Sequence, residues 1–280
     1  MTHGLDKKAE NKIISIEGKN SMNRILVKLC IALLVWISSF ATSDAHDAWL
    51  AAKWNAKKTH ILISPVVAET FPKGEPIKDM KRFIDPSAHF PDGSMLPLGG
   101  DPTDSTVLGS VPLAPSFVVS AGVKQREITY NQDIARAYLT EEVGLTKDQT
   151  SEILSDTVKE FNETYSRYLK TVVSVNDNVP IDTTCGLPLE IVLLSCKTAL
   201  GQEAAIKFRL LHNGEPSIDS PIRVLSNGTA TIVRTDSTGA AQAMVAKDKP
   251  LLLAHTQITK LSENRLQSVW TNLAVYWIKK

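Results

Sequence analysis

The chain has 280 residues with 31 Lys+Arg against 30 Asp+Glu, and 43% of its residues are hydrophobic. Residues 1–45 hold six of the bases and four of the acids, which leaves 25 and 26 in the remainder, a net charge near −1. That balance argues against nucleic acid or an anionic membrane surface as the main partner, and about 235 residues suit one large or two small domains with ample cores.

The N-terminus reads as an export signal. Residues 29–37 are apolar, Arg24 and Lys28 precede them, and the mostly small or polar stretch 38–45 follows, which is the order of a secretory leader. The run is too short to span a bilayer, and Met22 gives a more compact start than Met1. Two cuts satisfy the small-residue rule. Ser43 and Ala45 at the −3 and −1 places expose His46, whereas Ala41 and Ser43 expose Asp44-Ala45-His46. The first is preferred because alanine is the better −1 residue. It leaves a histidine whose amine and ring Nδ1 can grip one metal together; the second offers a square-planar set for Cu(II) or Ni(II). Cys30 falls inside the leader without a lipoprotein box, so a soluble periplasmic product with no membrane span is expected.

Residues 48–54 and 59–64 are short apolar segments around the polar turn 55–58, a hairpin pattern. Pro and Gly then punctuate residues 71–115, with short strands at 117–120 and 127–130. His89 lies in this Pro-rich stretch and reads as a solvated loop residue. Residues 133–142 read as a helix ended by Gly144. Thr146, with Gln149 placed to complete a capping box, opens a longer one. Ile153, Leu154, Val158, Phe161, Tyr165 and Tyr168/Leu169 continue at helical spacing, as a core face rather than a cofactor stripe. The acidic pair Glu141-Glu142 falls at an exposed helix end.

Residues 172–175 return to strand and 176–184 read as a linker. Strands are then expected at 189–194, 205–211, 222–225, 229–234, 241–245, 251–255 and 273–278, with turns at Asn213-Gly214, Asn227-Gly228 and 236–239. That rhythm indicates a small antiparallel sandwich. The fold class is mainly β, with a signal at 1–45, a β domain at 46–180 carrying a helical insert at about 133–170, and a β-sandwich at 185–280. Cys185 and Cys196 flank an expected strand, which would hold them beyond disulfide reach. No H-E-x-x-H, G-x-S-x-G, P-loop or dinucleotide fingerprint occurs, so no enzyme activity is expected.

The stretch Asn213-Gly214-Glu215-Pro216, a strand, and Thr235-Asp236-Ser237-Thr238-Gly239 resembles the transthyretin-like, carboxypeptidase-regulatory sandwich, in which the Asp and Gly serve a turn. A wider resemblance rests on His46-Asp47-Ala48-Trp49-Leu50, Tyr165-Ser166-Arg167-Tyr168, Gly186-Leu187-Pro188-Leu189-Glu190-Ile191-Val192, the 235–239 turn, Ala254-His255 and Trp270-Thr271-Asn272-Leu273. In this order they resemble a bacterial family of periplasmic domains of unknown function related to the NikM and NikK nickel-uptake components. The resemblance implies an exported, two-part β protein that handles nickel or cobalt at the cell envelope, with a metal-uptake transporter as partner.

His46 and His255 match that family's motif positions and form the first candidate ligand pair, a three-nitrogen set suited to Ni(II) or Cu(II). The bland alternative for His255 is a half-buried strand histidine bonded to a backbone carbonyl. Asp47 is a further ligand or the acceptor that orients an imidazole, and His60 is a reserve ligand across the hairpin. His212, beside a turn, reads as a surface residue. The expected function is a periplasmic accessory protein binding Ni(II) or Co(II), with Cu(II) as the further option. The competing classes are an envelope module binding a protein or glycan without metal, and a copper-dependent oxidative enzyme using the same N-terminal histidine.

Overall fold

Alternation of buried and exposed side chains governs most of the chain from residue 47 onward. The computed structural model describes residues 47–101, 103–175, 179, 182–198 and 203–279, within a unit spanning His46–Lys280. The expected export signal and His46 lie outside the described residues.

Strands β1 (Asp47–Trp54) and β2 (His60–Ala68) form the expected hairpin. Asn55 closes its turn by accepting the backbone N–H of Thr59 at 2.9 Å through Oδ1. Next come β3 (Glu75–Pro76), β4 (Phe83–His89), β5 (Met95–Pro97), β6 (Gly109–Pro112) and the long β7 (Ser116–Asn131). His89 therefore ends a strand instead of sitting in a solvated loop. Pro86 had masked that strand, but it falls where the β4–β7 register breaks, and there a missing N–H is tolerated.

The helical insert is shorter than its periodicity suggests. It consists of α1 (Gln132–Ala137), a π-turn at Tyr138–Glu142 and α2 (Lys147–Ile153). Thr146 and Gln149 make the expected reciprocal capping box, and Gly144 breaks the helix at φ 80°. The chain then turns at residues 155–158 and enters β8 (Glu160–Val175), so the helix expected to run on to Leu169 is a strand. Phe161, Glu163, Tyr165, Arg167 and Leu169 are all buried on one face. Two of those five inward positions are charged, which hid the period of two. The remaining apolar residues happened to fall three and four apart.

The second half has strands where they are expected, together with the short β11, but its last two run well beyond the expected 251–255 and 273–278: β9 (Leu189–Thr198), β10 (Glu203–His212), β11 (Glu215–Pro216), β12 (Pro221–Ser226), β13 (Thr229–Arg234), β14 (Ala240–Ala246), β15 (Leu251–Ser262) and β16 (Arg265–Ile278). Asn227 and Gly228 both take positive φ, 51° and 79°, as a two-residue hairpin turn matched to strand twist requires. In the 236–239 turn, Asp236 Oδ1 accepts the N–H groups of Thr238 and Ala240 at 2.8 and 3.0 Å, a structural role.

One eight-stranded sheet, ordered β13-β12-β15-β16-β8-β7-β4-β5, runs through both halves of the sequence. Its centre is a parallel pairing of β8 with β16 from Asn162↔Arg265 to Val175↔Ile278. The expected boundary near residues 180–185 falls in the connection between β8 and β9. On one face, the sheet of β1, β2, β3 and β6 packs through Leu50, Ile61, Ile63, Phe117, Val119, Leu169 and Val173. On the other, the sheet of β9, β10, β11 and β14 packs through Ile191, Ile206, Phe208, Leu253, Leu273 and Val275. The result is two sandwiches sharing a central layer. Each fully buried Leu, Ile or Phe contributes ~1.5–3 kcal/mol relative to exposure.

Neither Cys185 nor Cys196 forms a disulfide among the described residues. Buried Glu190 accepts the Cys185 N–H at 2.7 Å and Lys170 Nζ at 2.5 Å, tying the loop before β9 to β8. No helix among the described residues is long and apolar enough to cross a membrane.

Candidate functional site

Three side chains of the central sheet pin the start of β1. Arg223 on β12 donates to Asp47 Oδ1 at 2.6 Å, Asn272 on β16 donates to the Ala48 carbonyl at 2.7 Å, and Thr171 on β8 donates to the Leu50 carbonyl at 2.6 Å. Asp47 is 5% exposed, so its carboxylate is held in a charge-assisted contact and does not point freely into solvent. The residue before Asp47 is one Cα step, ~3.8 Å, away by covalent geometry.

Beside this start the helical insert covers the rest of the same sheet face. Asn131 caps α1 by accepting the Ile134 N–H at 2.9 Å. The π-turn then closes with the Val143 N–H on the Tyr138 carbonyl at 3.1 Å. Such turns recur at functional sites because the extra residue redirects side chains. Here the turn ends on Glu142, which is part-buried although its neighbour Glu141 is exposed. Burial pushes the Glu142 carboxyl up to about 7, against the pull of Arg223 and with a push from Asp47; Arg167 pulls it down as well. Glu142 therefore belongs to a charged cluster with Asp47, Arg223 and Arg167. The expectation that Glu141-Glu142 sits at an exposed helix end holds for the first residue only.

An aromatic column backs the cluster. Tyr130, Tyr138 and Trp270 stack with centroids 5.5 Å apart at each step, and the Arg167 guanidinium lies over the Trp270 ring, 4.2 Å from its centroid. Trp270 Nε1 donates to Ser268 Oγ at 2.8 Å; Ser268 and Tyr138 both donate to Glu163 Oε1, the latter at 3.2 Å. Glu163 is fully buried. The Tyr130 and Tyr138 phenols are held far above their ordinary range, chiefly by burial and then by the Glu163 charge, so both keep their protons and donate.

The histidines are distributed differently from the sequence pattern. Arg223 pairs with Ala254, and Ala254 with Asn272, so all three face β1. His255 is next along β15 and faces the opposite side of the sheet. It is 7% exposed, and its Nδ1 donates to the Pro221 carbonyl at 2.7 Å. Burial pushes its imidazole down to about 4, and its charged-group neighbour is His212. The fold thus places His255 and Asp47 on different faces. His60 pairs with Pro112, beside the turn end of the hairpin, while Asp47 pairs with Ala68 at the open end. Eight strand steps from His60 to Ala68 separate those ends by ~26 Å, so His60 does not approach the start of β1. His89 is half-buried between Ser87 Oγ and Ser120 Oγ at 3.1 and 2.9 Å. Among the described residues no three His, Cys, Asp or Glu side chains converge as a ligand set.

Sequence reasoning missed Glu142, Arg167 and Arg223. Arg167 stood inside the Tyr165-Ser166-Arg167-Tyr168 motif, which was the available clue. Arg223 carried none, since a lone arginine in a short strand resembles any solvent-facing residue.

Of the six sequence motifs that carried the resemblance, Tyr165 to Tyr168, Ala254-His255 and Trp270 to Leu273 fall on the adjacent strands β8, β15 and β16, while Asp47 to Leu50 lie on β1, Leu189 to Val192 on β9 and residues 235–239 in a turn. No curated protein and no solved structure matches the chain. A family described as a domain of unknown function, DUF4198, matches residues 43–249. The match takes in Asp47, Glu142, Arg167 and Arg223 and ends before His255 and Trp270. Covering about three-quarters of the sequence, it identifies this chain as a member of the DUF4198 domain family.

Proposed function

We propose that this protein is an exported, non-enzymatic accessory that binds Ni(II) or Co(II), with Cu(II) as the further option, for uptake by an envelope transporter. The observation that carries the reading is the clamp on Asp47, with Glu142 in the same charged cluster. After a cut behind Ala45, His46 supplies its amine and ring Nδ1 beside that clamp, and Glu142 supplies an anionic oxygen. Two nitrogens and a carboxylate form a donor set that suits borderline divalent metals. A divalent ion there offsets the charge of ionised Glu142, whose carboxyl burial pushes up to about 7. Asp47, already held by Arg223, orients the chain rather than ligating. The resemblance to NikM- and NikK-type components supports the choice of nickel and cobalt and the periplasmic setting.

Sequencing the exported protein and titrating it with Ni(II), Co(II) and Cu(II) tests this directly. A mature His46 amine and loss of binding in both His46→Ala and Glu142→Gln are expected. Binding that survives both substitutions refutes the site.

A second reading, an envelope interaction module, draws on β13. This exposed strand forms one edge of the central sheet, a geometry open to strand addition. Partner capture that persists in chelator and is abolished by a proline in β13 would favour it.

A further inference from the structure

Of the two edges of the central sheet, one is guarded and one is open. The β5 edge is three residues long and ends in Pro97, and shortness and proline both keep a sheet edge from pairing with another chain. At the opposite edge, β13 has β12 as its one strand partner among the described residues. Its sequence, Thr229-Ala230-Thr231-Ile232-Val233-Arg234, is mostly β-branched, with no proline, no lysine and an unbroken register against β12. Five of the six residues are exposed, Ile232 by 48%.

Backbone direction decides what fits there. Ser226 and Thr229 close the β12–β13 hairpin, and the Thr235 N–H donates to the Ser220 carbonyl at 3.1 Å. Thr229, Thr231 and Val233 therefore direct their main-chain groups at β12, and alternation aims those of Ala230, Ile232 and Arg234 away from the sheet. The one charge in the strand does not guard this edge, because Arg234 Nε donates to Asp219 Oδ1 at 2.7 Å, in the loop before β12. Ile232 lies opposite Arg223, on the face that carries the insert, with its Cδ1 beside Gly144.

We propose that β13 pairs antiparallel with β13 of a second copy of this chain, joining two central sheets into one. The two-fold axis passes Ile232, which exchanges main-chain bonds with its own mate, while Ala230 and Arg234 exchange with each other across the axis. This register uses all three outward residues and gives about six inter-chain bonds. It sets isoleucine against isoleucine and keeps each arginine opposite an alanine. The net charge near −1 adds no long-range repulsion between copies, and an isologous pairing closes at a dimer. The proposal deepens the strand-addition reading above by naming the occupant, and it is independent of the metal.

Sedimentation of the exported chain from about 5 to 500 μM reads the association. Two six-residue edges bury less than the ~1,200 Å² of a small stable interface, so the expected result is a reversible dimer whose mass climbs with concentration. Ala230→Pro removes an outward donor and no bond to β12, and Ile232→Lys sets like charges together at the axis. Each weakens association by roughly tenfold or more, with a urea midpoint close to the wild type to show that the chain still folds. Mixing Ile232→Lys with Ile232→Glu chains tests the register: each alone is monomeric, and the equimolar mixture regains association at or above the wild-type level. A wild-type chain monomeric throughout, a dimer indifferent to both substitutions, or a mixture that stays monomeric overturns the proposal. A monomeric wild type whose capture of a different envelope protein is lost in Ala230→Pro overturns self-pairing while leaving strand addition standing.

Discussion

Protonation of His255 dominates the expected acid response of this fold. The imidazole is buried against the Pro221 carbonyl, and burial lowers it from 6.5 to about 4. A group whose folded value is depressed contributes stability above its unfolded value, and that contribution is lost as pH falls through the folded one. The window here runs from about pH 6.5 down to about pH 4. A difference of roughly 2.5 units at 1.36 kcal/mol each corresponds to ~3 kcal/mol, most of it gone by about pH 4. Urea unfolding followed by tryptophan fluorescence, at half-unit steps from pH 7.5 to 3.5, measures it in the wild type and in His255→Asn, which keeps an N–H for the Pro221 carbonyl. The wild type should lose ~3 kcal/mol more than the variant across that range, whatever the fixed cost of the substitution at pH 7. Parallel profiles would refute the assignment of His255 as a neutral, carbonyl-bonded core residue.

Lys170→Met should be severe, because it strands buried Glu190 without its cation; a loss of ~3–5 kcal/mol in denaturant unfolding is expected, and a loss below about 1 would contradict the burial of that pair. Glu142 has the opposite pH sign to His255. Its folded value of about 7 lies above the ordinary 4.5, so the folded state is penalised as pH rises from about 4.5 through 7. Glu142→Gln should therefore stabilise the metal-free protein by ~1–2 kcal/mol at pH 8, after discounting for partial exposure. It should leave stability unchanged below about pH 4.5, and an equal effect at both pH values would rule out the raised carboxyl.

Elements whose inward positions are apolar were legible in the sequence. The β1–β2 hairpin, all the main strands from β9 to β16, and the Thr146 capping box follow from alternation, turn residues and cap chemistry. β8 failed because Glu163 and Arg167 occupy inward positions, and a hydropathy pattern assigns charge to the outside. β4 failed because Pro86 reads as loop unless the register break around it is known. At the site, Asp47 was read as a further ligand or as the acceptor that orients an imidazole, and the fold pairs it with Arg223, 176 residues away in sequence. His255 was singled out by motif, and only strand parity reveals that it faces the other side. Contacts between residues so far apart depend on sheet order, which composition and spacing do not encode.

The parallel junction of β8 with β16 also fixes a sequence of events during synthesis. Eighty-nine residues lie between the two strands, and each serves as the other's only neighbour on that side of the sheet. Loop closure over such a span is slow compared with local hairpins. The first sandwich therefore carries an open, apolar strand margin until residues 265–278 have emerged, and this is the interval in which a nascent chain is most exposed to wrong strand partners. A holding chaperone would gain most by occupying β8 during that interval. Removing β16 alone would leave both sandwiches unfinished, although one of them lies almost wholly upstream of it.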